Sequence, residues 1–249
     1  MMQLFNTKKQ YIYFPSKFTE NKKGIKINAL IWINTVDSMK KEIQNKINNG
    51  FNCIKLKIGF NWEKELKILK SLRFLFPCEK LEIRVDANQA FNFKNIKYIL
   101  DELFLLKIHS IEQPIKIKNW RLMSELCHNS PIPIALDEEL LGIHSYLLKK
   151  EILKEIKPKF LVLKPSLIGG IHGTMEWIRL CNKYNINWWI TSALESNIGL
   201  NFISQWVFLL NLDSPQGLST INLFSNNYNS PLFIYRDKLF FSFNNKIKH

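Results

Sequence analysis

At 249 residues, 46% apolar and 22% charged, the chain is long enough and apolar enough for one large domain with a buried core. No run of about 18 uncharged apolar residues occurs, which argues against a helical membrane span. The formal net charge of +14 would suit nucleic acid, an anionic membrane surface or anionic substrates; the lysines, however, are scattered among Ile, Asn and Phe without a basic run, so no nucleic-acid or membrane partner is expected.

Residues 1–23 are polar and aromatic and carry no clear period. Met1 to Gln10 show neither a signal-type apolar stretch nor an Arg-rich amphipathic pattern, which predicts a cytoplasmic chain. From there strand-like and helix-like segments alternate. The strand candidates are Ile25–Ile33, Cys53–Ile58, Leu81–Asp86, His109–Glu112, Ile132–Asp137, Phe160–Lys164 and Trp188–Ser192, with a weaker eighth at Gln216–Thr220. Between them, Trp62, Leu66, Leu69, Leu72 and Leu75 recur at helical spacing, as do Ile96, Ile99, Leu100 and Leu103, and Phe202, Ile203, Trp206 and Leu210. Asn61 stands where an N-cap is expected, and Gly50 closes a helix that begins near Asp37. Gly169-Gly170 reads as a strand-to-helix turn rather than a phosphate loop. Residues 231–243 read as a hairpin about Asp237, outside the alternation. The four cysteines lie far apart and read as reduced thiols, not as a disulfide or zinc framework.

About eight strand–helix units in this length predict parallel strands closed into a (β/α)8-type barrel. Six of the strands end on a polar or charged residue: Lys57, Asp86, Glu112, Asp137, Lys164 and Ser192. The successive gaps are 29, 26, 25, 27 and 28 residues, each close to one unit, so all six should lie at one level of the barrel. Residues two apart on a strand share a face. Cys53, Lys55 and Lys57 therefore share one face, and Glu82, Arg84 and Asp86 another, while the apolar faces pack on helices. The C-terminal ends of barrel strands are where active sites are built. Three converging carboxylates repel one another unless a cation lies between them. An oxygen-only shell suits Mg²⁺ or Mn²⁺. Asn88 could orient a ligand from behind. Lys57 and Lys164 would flank the metal, and a partly desolvated lysine near a metal has its pKa lowered and can act as a base.

At these residues the sequence resembles the enolase superfamily. The stretches are Lys55-Leu56-Lys57, Arg84 to Asn88, Ile111-Glu112-Gln113-Pro114, Ala135 to Glu139, Lys164-Pro165-Ser166 and Ser192 to Ser196. The KxK pair with a lone lysine on the sixth strand is similar to the muconate-lactonizing branch. Trp188 to Leu200, Lys164 to Gly170 and Pro215 to Leu218 resemble the o-succinylbenzoate synthase family of menaquinone biosynthesis.

The resemblance implies an α/β fold, a TIM-like (β/α)7β barrel. It also implies a Mg²⁺-dependent (or Mn²⁺-dependent) lyase acting on a small-molecule dicarboxylate through an enediolate. On that reading Asp86, Glu112 and Asp137 hold the metal, Lys57 is the base and Lys164 stabilises the intermediate. Lys55, Asn88, Ser192 and Ser196 support the site or the substrate. Racemases and epimerases of the same superfamily share these motifs and form an alternative; an inactive or partner-dependent barrel is another. Members of the family carry an N-terminal α+β cap over the barrel mouth, and this sequence begins where that cap should end. The expected organisation is therefore a lead-in at 1–23, a barrel at 24–220 and a segment at 221–249 that would pack on the cap. The cap itself is expected to be missing because the reading frame lost its start, because it is a separate capping chain, or because the protein is decaying; a homo-oligomer is the other partner expected.

Overall fold

A computed structural model of the chain describes residues 11–244. Seven short strands form one parallel sheet: β2 (Ala29–Ile31), β3 (Cys53–Lys57), β4 (Glu82–Asp86), β5 (Ser110–Glu112), β6 (Ile134–Leu136), β7 (Phe160–Leu163) and β8 (Asn187–Ile190), in chain order. Helices α1 (Val36–Asn48), α2 (Trp62–Leu75), α3 (Ile96–Leu105), α4 (Trp120–Asn129), α5 (Tyr146–Ile156) and α6 (Gly170–Tyr184) are the crossovers, and α7 (Asn197–Leu209) follows β8. This is the strand–helix barrel that the alternation predicts. None of the helices among the described residues is long and apolar enough to cross a membrane.

Each crossover forms for local reasons. The Asn61 side chain accepts from the Lys64 N–H and caps α2, and Thr35 caps α1 in the same way from the Ser38 N–H. Leu66, Leu69 and Leu72 of α2 are buried as the spacing requires, each contributing about 1.5–3 kcal/mol of burial. Leu75, the last member of that stripe, is exposed at the last residue of the helix. Gly169 and Gly170 both take positive φ in the turn that starts α6.

The first strand candidate divides in two. Ile25–Lys26 (β1) leaves the barrel and pairs antiparallel with β10 (Lys238–Phe241), which pairs in turn with β9 (Leu232–Tyr235). Ala29–Ile31 alone joins the barrel, beside β3. The described residues of both chain ends pack on the barrel. Phe18 stacks on Phe208 of α7 and lies edge-on to Phe241, with ring centroids 5.6 and 6.0 Å apart. Gln205 of α7 accepts from the N–H groups of Tyr13 and Phe14 and donates to the Tyr11 carbonyl.

The expected eighth strand, Gln216–Thr220, is not a regular strand. Only Gln216 and Gly217 make bridges, to Ile27 on one side and Thr191 on the other, and these close the gap between β2 and β8. Backbone bonds hold the segment on both sides: the Asn28 and Gln216 N–H groups donate to the Gln216 and Lys26 carbonyls, and the Gly217 and Ser192 N–H groups to the Ile190 and Gly217 carbonyls. Side chains add to them. Gln216 Oε1 accepts from the Ile190 N–H at 2.8 Å, and Arg84 Nη1 reaches from β4 to the Pro215 carbonyl at 3.1 Å. The guanidinium of Arg84 lies 4.4 Å from the Trp189 ring centroid. The approach is too close for a side chain at Gly217, where a Cβ would stand 2.2 Å from Thr191 Oγ1. Gln216→Ala should therefore leave buried backbone groups unpaired and lower stability by about 1–3 kcal/mol, read as a fall in denaturant midpoint at constant slope.

Candidate active site

The parallel register sets the level of each charged side chain. Lys57 pairs with Asp86, and Asp86 with Glu112, across adjacent strands. Glu112 pairs with Ala135, so Asp137 stands two residues further, just past the end of β6. Lys164 and Ser192 follow the ends of β7 and β8. Because side chains alternate, Ile54 and Leu56 face the helices while Lys55 and Lys57 turn inward.

Inside, three lysines are laced to three carboxylates. Lys55 Nζ donates to both oxygens of Glu112 at 3.0 Å and lies 3.3 Å from Asp86 Oδ2. Lys57 Nζ donates to Asp86 Oδ2 at 2.8 Å and to Asn88 Oδ1. Lys164 donates to Asp137 Oδ2. Asn88 sits at φ 40°, which lets its N–H reach Asp86 Oδ1 at 3.1 Å while its Nδ2 donates to Glu138 Oε1 at 2.9 Å. Lys57 Nζ also lies 5.4 Å from the centre of the Trp32 ring.

The electrostatics follow from this lacing. Burial pushes the Glu112 carboxyl well above the usual range, and the neighbouring Asp86 charge pushes the same way. Burial also works to raise Asp86, but the Lys55 and Lys57 ammoniums outweigh it and hold that carboxyl low. Burial would lower Lys55 and Lys164; the carboxylates of Glu112 and Asp86, and of Asp137, instead raise them. For Lys164 this is opposite to the direction expected from the sequence, because Asp137 lies directly against Nζ. Among the described residues no three His, Cys, Asp or Glu side chains stand ready to chelate a metal. Lysine ammoniums hold the carboxylate oxygens instead. The donor set still fits a hard divalent cation: oxygens only, on three neighbouring strands, with one carboxylate raised by burial and then by the charge of another.

Above this layer opens a cavity of about 190 Å³. One wall is ionic, with Lys55, Lys57, Asp86 and Lys164. The other is neutral, with Asn28, Thr191, Ser192 and Thr220. Ser192 Oγ and Thr220 Oγ1 share a hydrogen bond of 2.8 Å. Glu112 and Asp137 are buried behind the ionic wall. Ser196 stands apart from the cavity, at the N-cap position of α7 and without a side-chain cap bond.

Several residues of the site escape a reading of the sequence. Asn28 is a polar residue in an apolar strand, the same signal that exposes the lysines. Trp32 and Thr220 give no such signal, since each reaches the site only through a loop or the closing segment. Gln113 and Glu139 form a frame behind Asp137. Gln113 Oε1 accepts from the Asp137 and Glu139 N–H groups, and Glu139 accepts from Trp120 Nε1 and the Lys118 N–H.

Residues 38–228 match the family described as Enolase C-terminal domain-like. The chain belongs to that family. Among curated relatives, an o-succinylbenzoate synthase of Desulfotalea psychrophila is 45% identical over 89% of this chain and 60% of its own length. An L-amino acid-D/L-Glu epimerase of Sulfurimonas denitrificans is 25% identical over 82% of this chain and 60% of its own. The crystal structure of MenC from Desulfotalea psychrophila superposes with a TM-score of 0.87 at 44% identity, covering 93% of this chain and 64% of that one. This enolase-family chain thus spans about 60% of the length of the curated relatives it matches.

Proposed function

We propose that this barrel carries out the dehydration of 2-succinyl-6-hydroxy-2,4-cyclohexadiene-1-carboxylate to 2-succinylbenzoate. The observation that carries the reading is the pair Lys57 and Lys164, held on either side of Asp86, Glu112 and Asp137 at one cavity, in a chain 45% identical to an o-succinylbenzoate synthase. In the reaction the C1–H and C6–O bonds break, a ring double bond forms and water leaves. Mg²⁺ or Mn²⁺ held by Asp86, Glu112 and Asp137 would take up the charge that builds on the ring carboxylate and weaken the hold of these residues on the lysines.

Lys57 removes the proton from C1. Its Nζ is aimed by Asn88 Oδ1, and the Trp32 ring shields it on one side, so the amine meets the carbon rather than bulk water. Lys164 keeps its charge and stabilises the anion from across the ring. Lys55 stays below, neutralising Glu112. Ser192, oriented by Thr220, supplies a hydroxyl to the second carboxylate of the substrate.

Lysines carried by β3 and by the end of β7, on either side of the three carboxylates, also suit proton removal from one face of an α-carbon and return to the other, so an N-succinylamino acid racemase or dipeptide epimerase is the second reading. Apolar side chains crowd the rim: Phe60 after β3 is 82% exposed and Phe93 after β4 is 68% exposed. We infer that a further segment, of this chain or another, covers them and dries the cavity. One assay addresses all three points. The chain with Mg²⁺ is given the cyclohexadiene dicarboxylate, with and without the part of the Desulfotalea relative that lies outside the match. Formation of 2-succinylbenzoate, faster with the added part, is the expected result. Exchange of the α-proton of an N-succinylamino acid without dehydration would favour the epimerase; no acceleration would remove the covering segment from the reading.

A further inference from the structure

The geometry points to Glu195 as a positioning residue that clamps the loop after β8 to the loop after β7 and so fixes one wall of the cavity. The two loops carry Ala193 and Leu194 on one side and Leu167 on the other, and all three line the cavity. Glu195 joins them. Both of its oxygens accept from the Ala193 N–H, at 3.0 and 2.9 Å, and Oε1 also accepts from the Ser166 hydroxyl. Ser166 lies two residues past Lys164 and Ala193 one past Ser192, so a single carboxylate ties together the stretches that bear two of the proposed site residues.

Two further observations bear on the clamp. Leu194 sits between Ala193 and Glu195 at φ 64°, a left-handed conformation that a leucine adopts only when its surroundings hold it there. Its side chain is thereby turned to the cavity mouth. Gly199, in the first turn of α7, passes directly under Glu195; a Cβ there would stand 2.9 Å from Glu195 Cβ and 3.3 Å from Cγ. The glycine makes room for the carboxylate at the start of the helix. Glu195 does not line the cavity itself. Its role is to hold Ala193 and Leu194 where a ligand meets them, and the loss of such a hold shows first in substrate binding.

The test compares wild type, Glu195→Gln and Glu195→Ala by amide exchange at Ala193 and by KM against kcat for the dehydration; the kinetic arm rests on the proposed reaction, and the exchange arm does not. In Glu195→Ala the Ala193 amide should exchange at least ~10-fold faster, and KM should rise about 10-fold with a smaller fall in kcat. Glu195→Gln should recover most of both, since the amide oxygen still accepts from Ala193 and the NH₂ can donate to Ser166. Unchanged exchange in Glu195→Ala would overturn the clamp. Faster exchange with KM unmoved would reduce Glu195 to a structural residue and overturn the positioning role. A wild type that does not dehydrate the substrate would overturn the proposed reaction instead, and the exchange rates alone would then decide the clamp.

Discussion

Lys57→Ala is expected to lower the dehydration rate by roughly 10²–10⁴-fold, the span a positioned acid–base group supplies. Lys164→Ala is expected to lower it by about 10²–10³-fold, the cost of one preorganised electrostatic contact at a developing anion. The reasons differ, so the kinetics should differ. Lys57 is hydrogen-bonded to Asp86 and Asn88 and lies beside the Trp32 ring, so its loss removes the proposed base but leaves Asp86 shielded by Lys55. Lys164 lies against Asp137, so its loss also leaves a buried carboxylate without its ammonium. Solvent exchange of the substrate proton at C1 separates them. It should vanish in Lys57→Ala and persist at a reduced rate in Lys164→Ala; exchange persisting in Lys57→Ala would sink its assignment as the base.

The second large effect is on stability. Lys55 is buried, donates to both oxygens of Glu112 and lies 3.3 Å from Asp86. Lys55→Met keeps the length of the side chain but removes the cation, leaving the buried Glu112 without its hydrogen-bonded ammonium while Lys57 still holds Asp86. Breaking a buried pair from one side costs about 3–5 kcal/mol. That loss should appear in full when the protein is unfolded in the presence of a chelator. Added Mg²⁺ should recover part of it, about 2.7 kcal/mol at a concentration 100 times its dissociation constant. The recovery should be larger in Lys55→Met than in wild type, because one fewer ammonium opposes the ion. Equal stabilisation of the two proteins by Mg²⁺, or none, would argue that the carboxylates do not hold the metal.

Much of this site is legible in the amino-acid sequence. A lysine or carboxylate inside an apolar strand has few innocent explanations, because burying an unpaired charge is so costly. Repetition of such residues at intervals of one strand–helix unit then places Lys57, Asp86, Glu112, Asp137 and Lys164 at one level, since each unit advances the chain by one strand around the barrel. The alternation of side chains along each strand supplies the rest, sending Lys55 inward with Lys57 and leaving Ile54 and Leu56 for the helices. These are consequences of local periodicity, and a sequence carries local periodicity openly.

Tertiary structure alone decides what meets what across the barrel. The pairing of Lys164 with Asp137, and the opposite direction it imposes on the lysine, depends on side chains from different strands coming into contact. The closing segment is another case. Gln216 and Gly217 bridge the two sides of the gap through two residues only, and a glutamine side chain and Arg84 from across the floor add hydrogen bonds to the four that the backbone makes there. Ile25–Lys26 reads as the start of a barrel strand, and its β pattern is right, but its partner lies more than 200 residues away in the hairpin. Glu195 shows the same limit at the site itself: an acidic residue in a loop has no period to betray it, and only the approach of Ala193 and Ser166 turns it into a clamp. Pattern along the chain specifies which face a residue takes; contacts between distant segments specify what that face encounters.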